Sequence, residues 1–230
     1  MQYFGGKTRI SKQIAEVINK ASGKYYYEPF LGGGSVLEKV NKPIRIASDI
    51  NKYLIAMYQS LQNGWIPPKD ISEEEYNYIK NHKDENLSLT GFVGFGCSFA
   101  GKFFGGYARD KRKKQSFAFT TSNSLINQIL KMRDVEFFCS DYRMITSENY
   151  IIYCDPPYKG TTKYSNGLFN HELFWETMRE WSKNNIVYIS EYVCPKDFEC
   201  VLEIPIKVNV RDKNNNLIPR VEKLFKYKNK

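Results

Sequence analysis

A chain of 230 residues, 42% hydrophobic and 15% aromatic, is long enough for one α/β core with a modest insertion or for two small domains, and its composition excludes a disordered chain. Its formal charge of +9 points to a polyanionic partner such as nucleic acid. No apolar run approaches the roughly 18 residues of a membrane span and no segment reads as a secretion signal, so a cytoplasmic protein without membrane contact is expected.

The first element is Tyr3-Phe4-Gly5-Gly6-Lys7, where two glycines between an aromatic and a lysine let the backbone come close to a ligand. Ile14, Val17 and Ile18 mark one face of a helix over about Ser11 to Lys20. A strand at Tyr25-Tyr26-Tyr27 runs through Glu28-Pro29-Phe30-Leu31 into Gly32-Gly33-Gly34-Ser35, and a helix is predicted from Ser35 to Asn41. Strand, glycine turn and helix form the entry of a nucleotide-binding doubly wound sheet. The spacing fits neither a Walker loop nor a clean Gly-x-Gly-x-x-Gly fingerprint. A second strand from Ile44 ends on Asp49, about 20 residues after the turn, where such units bind a ribose hydroxyl. The same carboxylate is also placed to cap a helix over Asn51 to Gln62.

From Tyr53 to about Ser124 the strand–helix alternation breaks. Leu54, Ile55, Tyr58 and Leu61 line one helix, and a second with an acidic start is expected over Ser72 to Asn81. Gly91 to Tyr107 then interleaves glycine with phenylalanine, shows no sustained period, and runs into Arg109-Asp110-Lys111-Arg112-Lys113-Lys114. Such a stretch suits a surface that holds phosphates and stacks rings on bases. Lys102, Tyr107, Arg109, Lys111, Arg112, Lys113 and Lys114 are its candidate nucleic-acid contacts. The competing reading of the cation run is an ordinary solvated face.

The alternation resumes with a helix over Ser124 to Met132, a strand at Val135 to Cys139, and Ser140-Asp141-Tyr142. Ile151 to Cys154 reads as a strand buried on both faces, closed by Asp155-Pro156-Pro157-Tyr158. Ligands of open α/β sheets bind at the carboxyl ends of strands. The Asp155 carboxylate, the Pro156 carbonyl and the Tyr158 ring therefore suit a flat ligand carrying an amino group. The prolines end the strand and fix the direction of that carbonyl. Lys159 to Gly167 reads as a mobile loop able to close over a substrate. A helix capped by Asn170, a strand at Ile186 to Ser190, and an antiparallel hairpin of Ile204 to Val210 with Val221 to Tyr227 around an Asp212 to Asn216 turn complete the chain.

Cys97, Cys139, Cys154, Cys194 and Cys200 have no metal-ligand or redox spacing and are expected to be buried, reduced thiols. His82, read as a surface residue, and His171, read as an early-helix residue, give almost no material for a zinc site or a Ser/His/Asp triad.

Asp155-Pro156-Pro157-Tyr158 after an apolar strand resembles the catalytic motif of the amino-group DNA methyltransferases, particularly the adenine-N6 class, Dam-like and also called D12. Tyr3-x-Gly-x-Lys7 is similar to that family's first cofactor-contacting element, and Glu28-Pro29-Phe30-x-Gly32-x-Gly34 to its glycine motif. The stretch from Phe95 to Arg109 resembles one carried by phage-type members. The resemblance implies a doubly wound methyltransferase sheet with an antiparallel C-terminal hairpin, built from residues 1–52 and 125–230. It implies a mainly helical target-recognition insertion at 53–124. Asp155, Pro156 and Tyr158 would be catalytic. S-adenosylmethionine (AdoMet), leaving as S-adenosylhomocysteine, would be held by Tyr3, Lys7, Glu28, Pro29, Phe30, Gly32, Gly34, Asp49, Asp141, Tyr142 and Asp155. Double-stranded DNA would be the substrate, with no metal required and with room for a cognate restriction endonuclease.

Three other readings stay open on the residues. The same fold serves cytosine N4, RNA adenine and protein glutamine, although cytosine enzymes tend to carry Ser, and glutamine enzymes Asn, where Asp155 stands. A DNA-binding relative without transfer would not need the cofactor and catalytic motifs together. A nicotinamide oxidoreductase leaves the insertion and Asp155 to Tyr158 unexplained.

Overall fold

The computed structural model describes residues 1–109, 116–145, 148–159, 169–206 and 220–228. Strands rich in Tyr, Ile and Val carry apolar side chains on both faces, which a sheet tolerates when helices cover each side. β1 (Tyr25–Glu28), β2 (Ile44–Asp49), β3 (Val135–Cys139), β4 (Tyr150–Cys154) and β5 (Ile186–Glu191) pair in parallel. β6 (Phe198–Ile206) and β7 (Arg220–Tyr227) add two antiparallel pairings, giving the order β3-β2-β1-β4-β5-β7-β6. This is the expected doubly wound sheet closed by an antiparallel pair. β6 begins six residues before the predicted Ile204, and residues 207–219, which include the asparagine-rich turn, lie outside the described residues, as does most of the Lys159 to Gly167 loop.

Six α-helices are described: α1 (Ser11–Lys20), α2 (Lys52–Gln62), α3 (Glu73–Asn81), α4 (Leu87–Gly91), α5 (Phe117–Ile129) and α6 (His171–Trp181). Alternate residues of β4 feed opposite cores. Ile151 and Tyr153 join the cluster built with α1, α2 and α5, whereas Ile152 and Cys154 join the one built with Phe174, Met178 and Trp181 of α6. The middle strands are thereby buried on both sides.

Two helices differ from expectation. Ser35 to Asn41 forms only a 3-10 turn at Leu37–Lys39, because the segment is confined between the glycine turn and Pro43, which disfavours helix at the residue before it. α5 starts at Phe117, seven residues before the predicted Ser124, with the Ser116 side chain capping the Phe119 amide at 3.1 Å. Its Thr-Thr-Ser-Asn run has weak helix propensity. Tertiary bonds compensate: the hydroxyls of Thr121 and Ser122 donate to the Gly96 and Pro67 carbonyls at 3.0 and 2.9 Å.

The glycine- and aromatic-rich stretch is mostly core, contrary to its reading as a binding surface. α4 runs into a π-helical turn, Phe92–Gly96, whose five residues are buried. A Cβ on Gly91 would stand 2.2 Å from the Tyr53 carbonyl oxygen, and one on Gly94 2.4 Å from the Phe103 ring. These glycines are required by close packing rather than by flexibility. Phe95, Phe103 and Phe104 contact one another, with neighbouring ring centroids 4.8 Å apart. Phe99 is the exposed phenylalanine of the run, at 71%, and Lys102, Gly105 and Gly106 are exposed as well. The cysteines are free, but only Cys97 and Cys154 are buried; Cys194 is half-buried and Cys139 and Cys200 are exposed.

Candidate active site

Chain order along the sheet reverses between β1 and β4, and a crevice opens at such a switch point outside the carboxyl ends of the strands. Glu28 ends β1, Asp49 ends β2, and Asp155 follows β4 directly. With neighbouring strands about 4.8 Å apart, the tips of β2 and β4 flank β1 within roughly 10 Å. Three carboxylates from separate motifs therefore share one edge.

Each is held differently. The glycine turn takes left-handed backbone at Gly32 (φ 48) and Gly34 (φ 63), which only glycine adopts without strain. That turn aims the Gly32 amide at Asp49 Oδ2, 3.0 Å away, while the Asn51 amide donates to Oδ1 at 2.9 Å. Burial pushes the Asp49 carboxyl up despite these amides. Asn51, not Asp49, caps α2, accepting from Tyr53 and Leu54, so Asp49 is left to the crevice. Glu28 is buried and accepts the Tyr26 hydroxyl at 2.7 Å. Desolvation raises its carboxyl to about 8, opposed by that hydroxyl and reinforced by Asp155.

Asp155 meets the first glycine-lysine element. The Lys7 ammonium lies 2.7 Å from its Oδ1, a buried oxygen that receives the charge without a well-aligned hydrogen bond. Burial raises the Asp155 carboxyl, Lys7 lowers it, and Glu222 raises it again. Lys7 also sits 4.5 Å from the Tyr158 ring centroid. The Tyr158 hydroxyl donates to Glu222 Oε2 at 2.9 Å, and its ring meets Tyr192 edge-on at 4.7 Å. Pro156 is buried between these groups, and Pro29 lies buried after β1.

Aromatic side chains cluster just past the carboxyl ends of β1 and β3. Phe30 packs on Tyr142 at 5.0 Å, and both contact Phe174 of α6. Asp141 is engaged by its own neighbour, since the Arg143 guanidinium chelates the carboxylate at 2.9 and 2.6 Å and holds it below the usual carboxylate range. Tyr3 does not stand apart: its ring lies on the glycine turn, where a Cβ on Gly32 would approach it to 2.9 Å, and packs on Phe95 at 5.1 Å. An acid-rimmed crevice with a glycine floor and aromatic side chains nearby fits a cationic ligand bearing sugar hydroxyls and a flat ring.

Three of the seven nucleic-acid candidates, Lys102, Tyr107 and Arg109, fall among the described residues. Lys102 is exposed. Tyr107 is engaged internally, its hydroxyl donating to the Ile71 carbonyl at 2.7 Å and its ring against Tyr76. Arg109 is exposed but ion-paired with Glu73. Lys111, Arg112, Lys113 and Lys114 lie outside the described residues.

Two further acids belong to this neighbourhood without having been anticipated. Glu191, at the end of β5, accepts the Lys159 and Tyr192 amides at 2.7 and 2.5 Å and so secures the chain after Tyr158. Glu222 lies within β7. Glu191 repeats the strand-end acid pattern of Asp49 and Asp155 and was legible on that ground. Glu222, inside a strand of mixed charge, carried no such signal.

The model of the D12 class N6 adenine-specific DNA methyltransferase family matches residues 3–92 and 98–192. The chain is 28% identical over 210 residues to the Type II methyltransferase M.MjaIII of Methanocaldococcus jannaschii, covering 72% of this chain and 71% of that protein. It is 26% identical over 203 residues to the DNA N-6-adenine-methyltransferase of Escherichia phage P1, covering 74% of this chain but 26% of that one. It is 26% identical over 196 residues to the DNA adenine methylase of Vibrio cholerae, covering 72% of this chain and 67% of the methylase. The matched segments carry both the glycine turn and Asp155 to Tyr158, and the chain belongs to the D12 class of N6 adenine-specific DNA methyltransferases.

Proposed function

We propose that this chain binds AdoMet in the crevice at the β1–β4 switch point and methylates N6 of an adenine extruded from duplex DNA. The observation that carries the reading is the meeting of Lys7 and Asp155 at 2.7 Å beside the Tyr158 ring. It joins the first cofactor motif to the catalytic one. Glu28, Asp49 and the Gly32 to Gly34 turn would hold the amino-acid and ribose portions, and Phe30 and Tyr142 the adenine of the donor. Asp141 serves through its Arg143 pair rather than as a free acceptor.

AdoMet supplies a methyl group already activated on a sulfonium. The chain's own task is to reshape the nucleophile. The lone pair of the adenine amine is delocalised into the ring, so two acceptors, the Asp155 carboxylate and the Pro156 carbonyl, draw its N–H groups out of plane and turn that pair toward the methyl. Such preoriented acceptors stabilise charge as it develops on nitrogen. With the methyl given up to nitrogen by bound AdoMet, the Asp155 carboxylate would take the surplus N–H proton. Tyr158 holds the extruded ring by stacking worth about 1–3 kcal/mol.

Target recognition is assigned to the insertion at 53–124, chiefly its part between α2 and α5, with the exposed Phe99 and Lys102 as DNA contacts and the cation run as further candidates. α2 itself lies on the sheet, where Tyr58 stacks on Phe137 at 5.2 Å and Gln59 donates to its carbonyl at 2.7 Å. A cognate restriction endonuclease is the protein partner this reading admits. Mass spectrometry of digested DNA and RNA from an expressing host tests the substrate: N6-methyladenine is expected in DNA, and modification confined to RNA would reverse the assignment.

A further inference from the structure

Asp155 carries two demands that conflict. Its Oδ1 faces the Lys7 ammonium at 2.7 Å, while the proposed transfer needs this carboxylate for the target amine. Lys7 is 8% exposed, so it cannot simply retreat to solvent without being pulled from its packing. A second carboxylate waits next to it: Glu222 Oε2 stands 4.0 Å from the same ammonium. Glu222 is itself 8% exposed, and among the described residues the hydrogen bond it accepts comes from the Tyr158 hydroxyl, at 2.9 Å. A buried carboxylate with one neutral donor is underpaired, and drawing a cation closer relieves that cost. A shift of about 1 Å brings Lys7 from ion-pair range to full contact with Glu222, still over the Tyr158 ring.

We infer that Glu222 is a positioning residue that takes over Lys7 when the target amine reaches Asp155, unblocking the acceptor without stranding a buried ammonium. The inference rests on the reading of Asp155 as amine acceptor. It also explains why the terminal antiparallel strand matters to the site: β7 pairs with β5 and so carries Glu222 to the Tyr158 side of the crevice. Glu222→Gln tests it, because the amide oxygen still accepts from Tyr158 but the charge that attracts Lys7 is gone.

Wild type, Asp155→Asn, Lys7→Met, Glu222→Gln and the Lys7→Met/Glu222→Gln pair are compared with labelled AdoMet and target duplex. Single-turnover transfer by Glu222→Gln is expected to fall about 10²-fold, the scale of a misplaced reacting group, with AdoMet affinity by calorimetry within about threefold. The double variant should be no slower than Lys7→Met, since Glu222 acts through Lys7. A second readout needs no turnover. Glu222→Gln should lower the melting temperature in the wild-type background but raise it beside Lys7→Met, where Glu222 is left unpaired. Transfer by Glu222→Gln within about threefold of wild type, multiplying losses in the double variant, or the same melting shift in both backgrounds would overturn the inference. Asp155→Asn should be inactive; if it transfers normally, the site reading falls together with the hand-over.

Discussion

The backbone amide of Gly32 donates to Asp49 Oδ2 at 3.0 Å, tying the glycine turn after β1 to the tip of β2. Since the other oxygen accepts from Asn51, both oxygens of this carboxylate fix the shape of the turn at the β1–β2 edge. Asp49→Asn turns an amide NH2 toward one of those N–H groups. It should cost about 1–3 kcal/mol of stability and weaken AdoMet binding about tenfold or more, read by denaturant titration and calorimetry. Unchanged stability would show that the turn holds its shape without Asp49.

Asp155→Ala should abolish methyl transfer while duplex affinity stays within a few-fold, because the proposed mechanism puts this side chain against the amine to be methylated rather than the phosphates. Retained turnover of labelled AdoMet would contradict the mechanism directly. Loss of duplex binding would instead make Asp155 part of the DNA interface.

Glu28 makes the fold pH-sensitive. Its carboxyl is raised by burial from 4.5 to about 8, so between those values the folded chain keeps a proton that the unfolded chain releases. Stability from this group is complete below the unfolded value and is lost as pH rises through the folded one. Asp49 and Asp155 are raised too and act in the same direction. Glu28→Gln cannot ionise, so its denaturation midpoint should fall less than that of wild type between about pH 5.5 and pH 8. Parallel curves for the two proteins would mean that Glu28 titrates normally.

Phe92 and Phe99 belong to one aromatic run but to different environments, fully buried and 71% exposed respectively. Phe92→Ala should cost about 3–5 kcal/mol of stability, as large-to-small changes in a packed core do. Phe99→Ala should leave the melting temperature nearly unchanged and weaken duplex binding. If Phe99→Ala binds duplex normally, this phenylalanine is not a DNA contact.

The sheet and its motifs were readable from the chain because their signals are local. Apolar runs such as Ile151 to Cys154 can be satisfied only by burial on both faces. Gly32 and Gly34 mark left-handed backbone, and an acid at a strand end reports the edge where ligands bind. The antiparallel terminal pair was legible in the residues from Ile204 to Tyr227, the resemblance implied the parallel order, and both pairings are present in the sheet. What tertiary structure alone decided depends on partners distant in sequence. The aromatic-glycine run looks the same whether exposed or buried, and it is core because Tyr53, Phe103 and Thr121 come within contact of Gly91, Gly94 and Gly96. Glu222 likewise has no local mark; it matters because β7 joins β5 and brings its carboxylate to Tyr158 and Lys7. Backbone conformation and burial are written in short spans of residue types, whereas the pairing of buried charges is fixed only when the strands have found their neighbours.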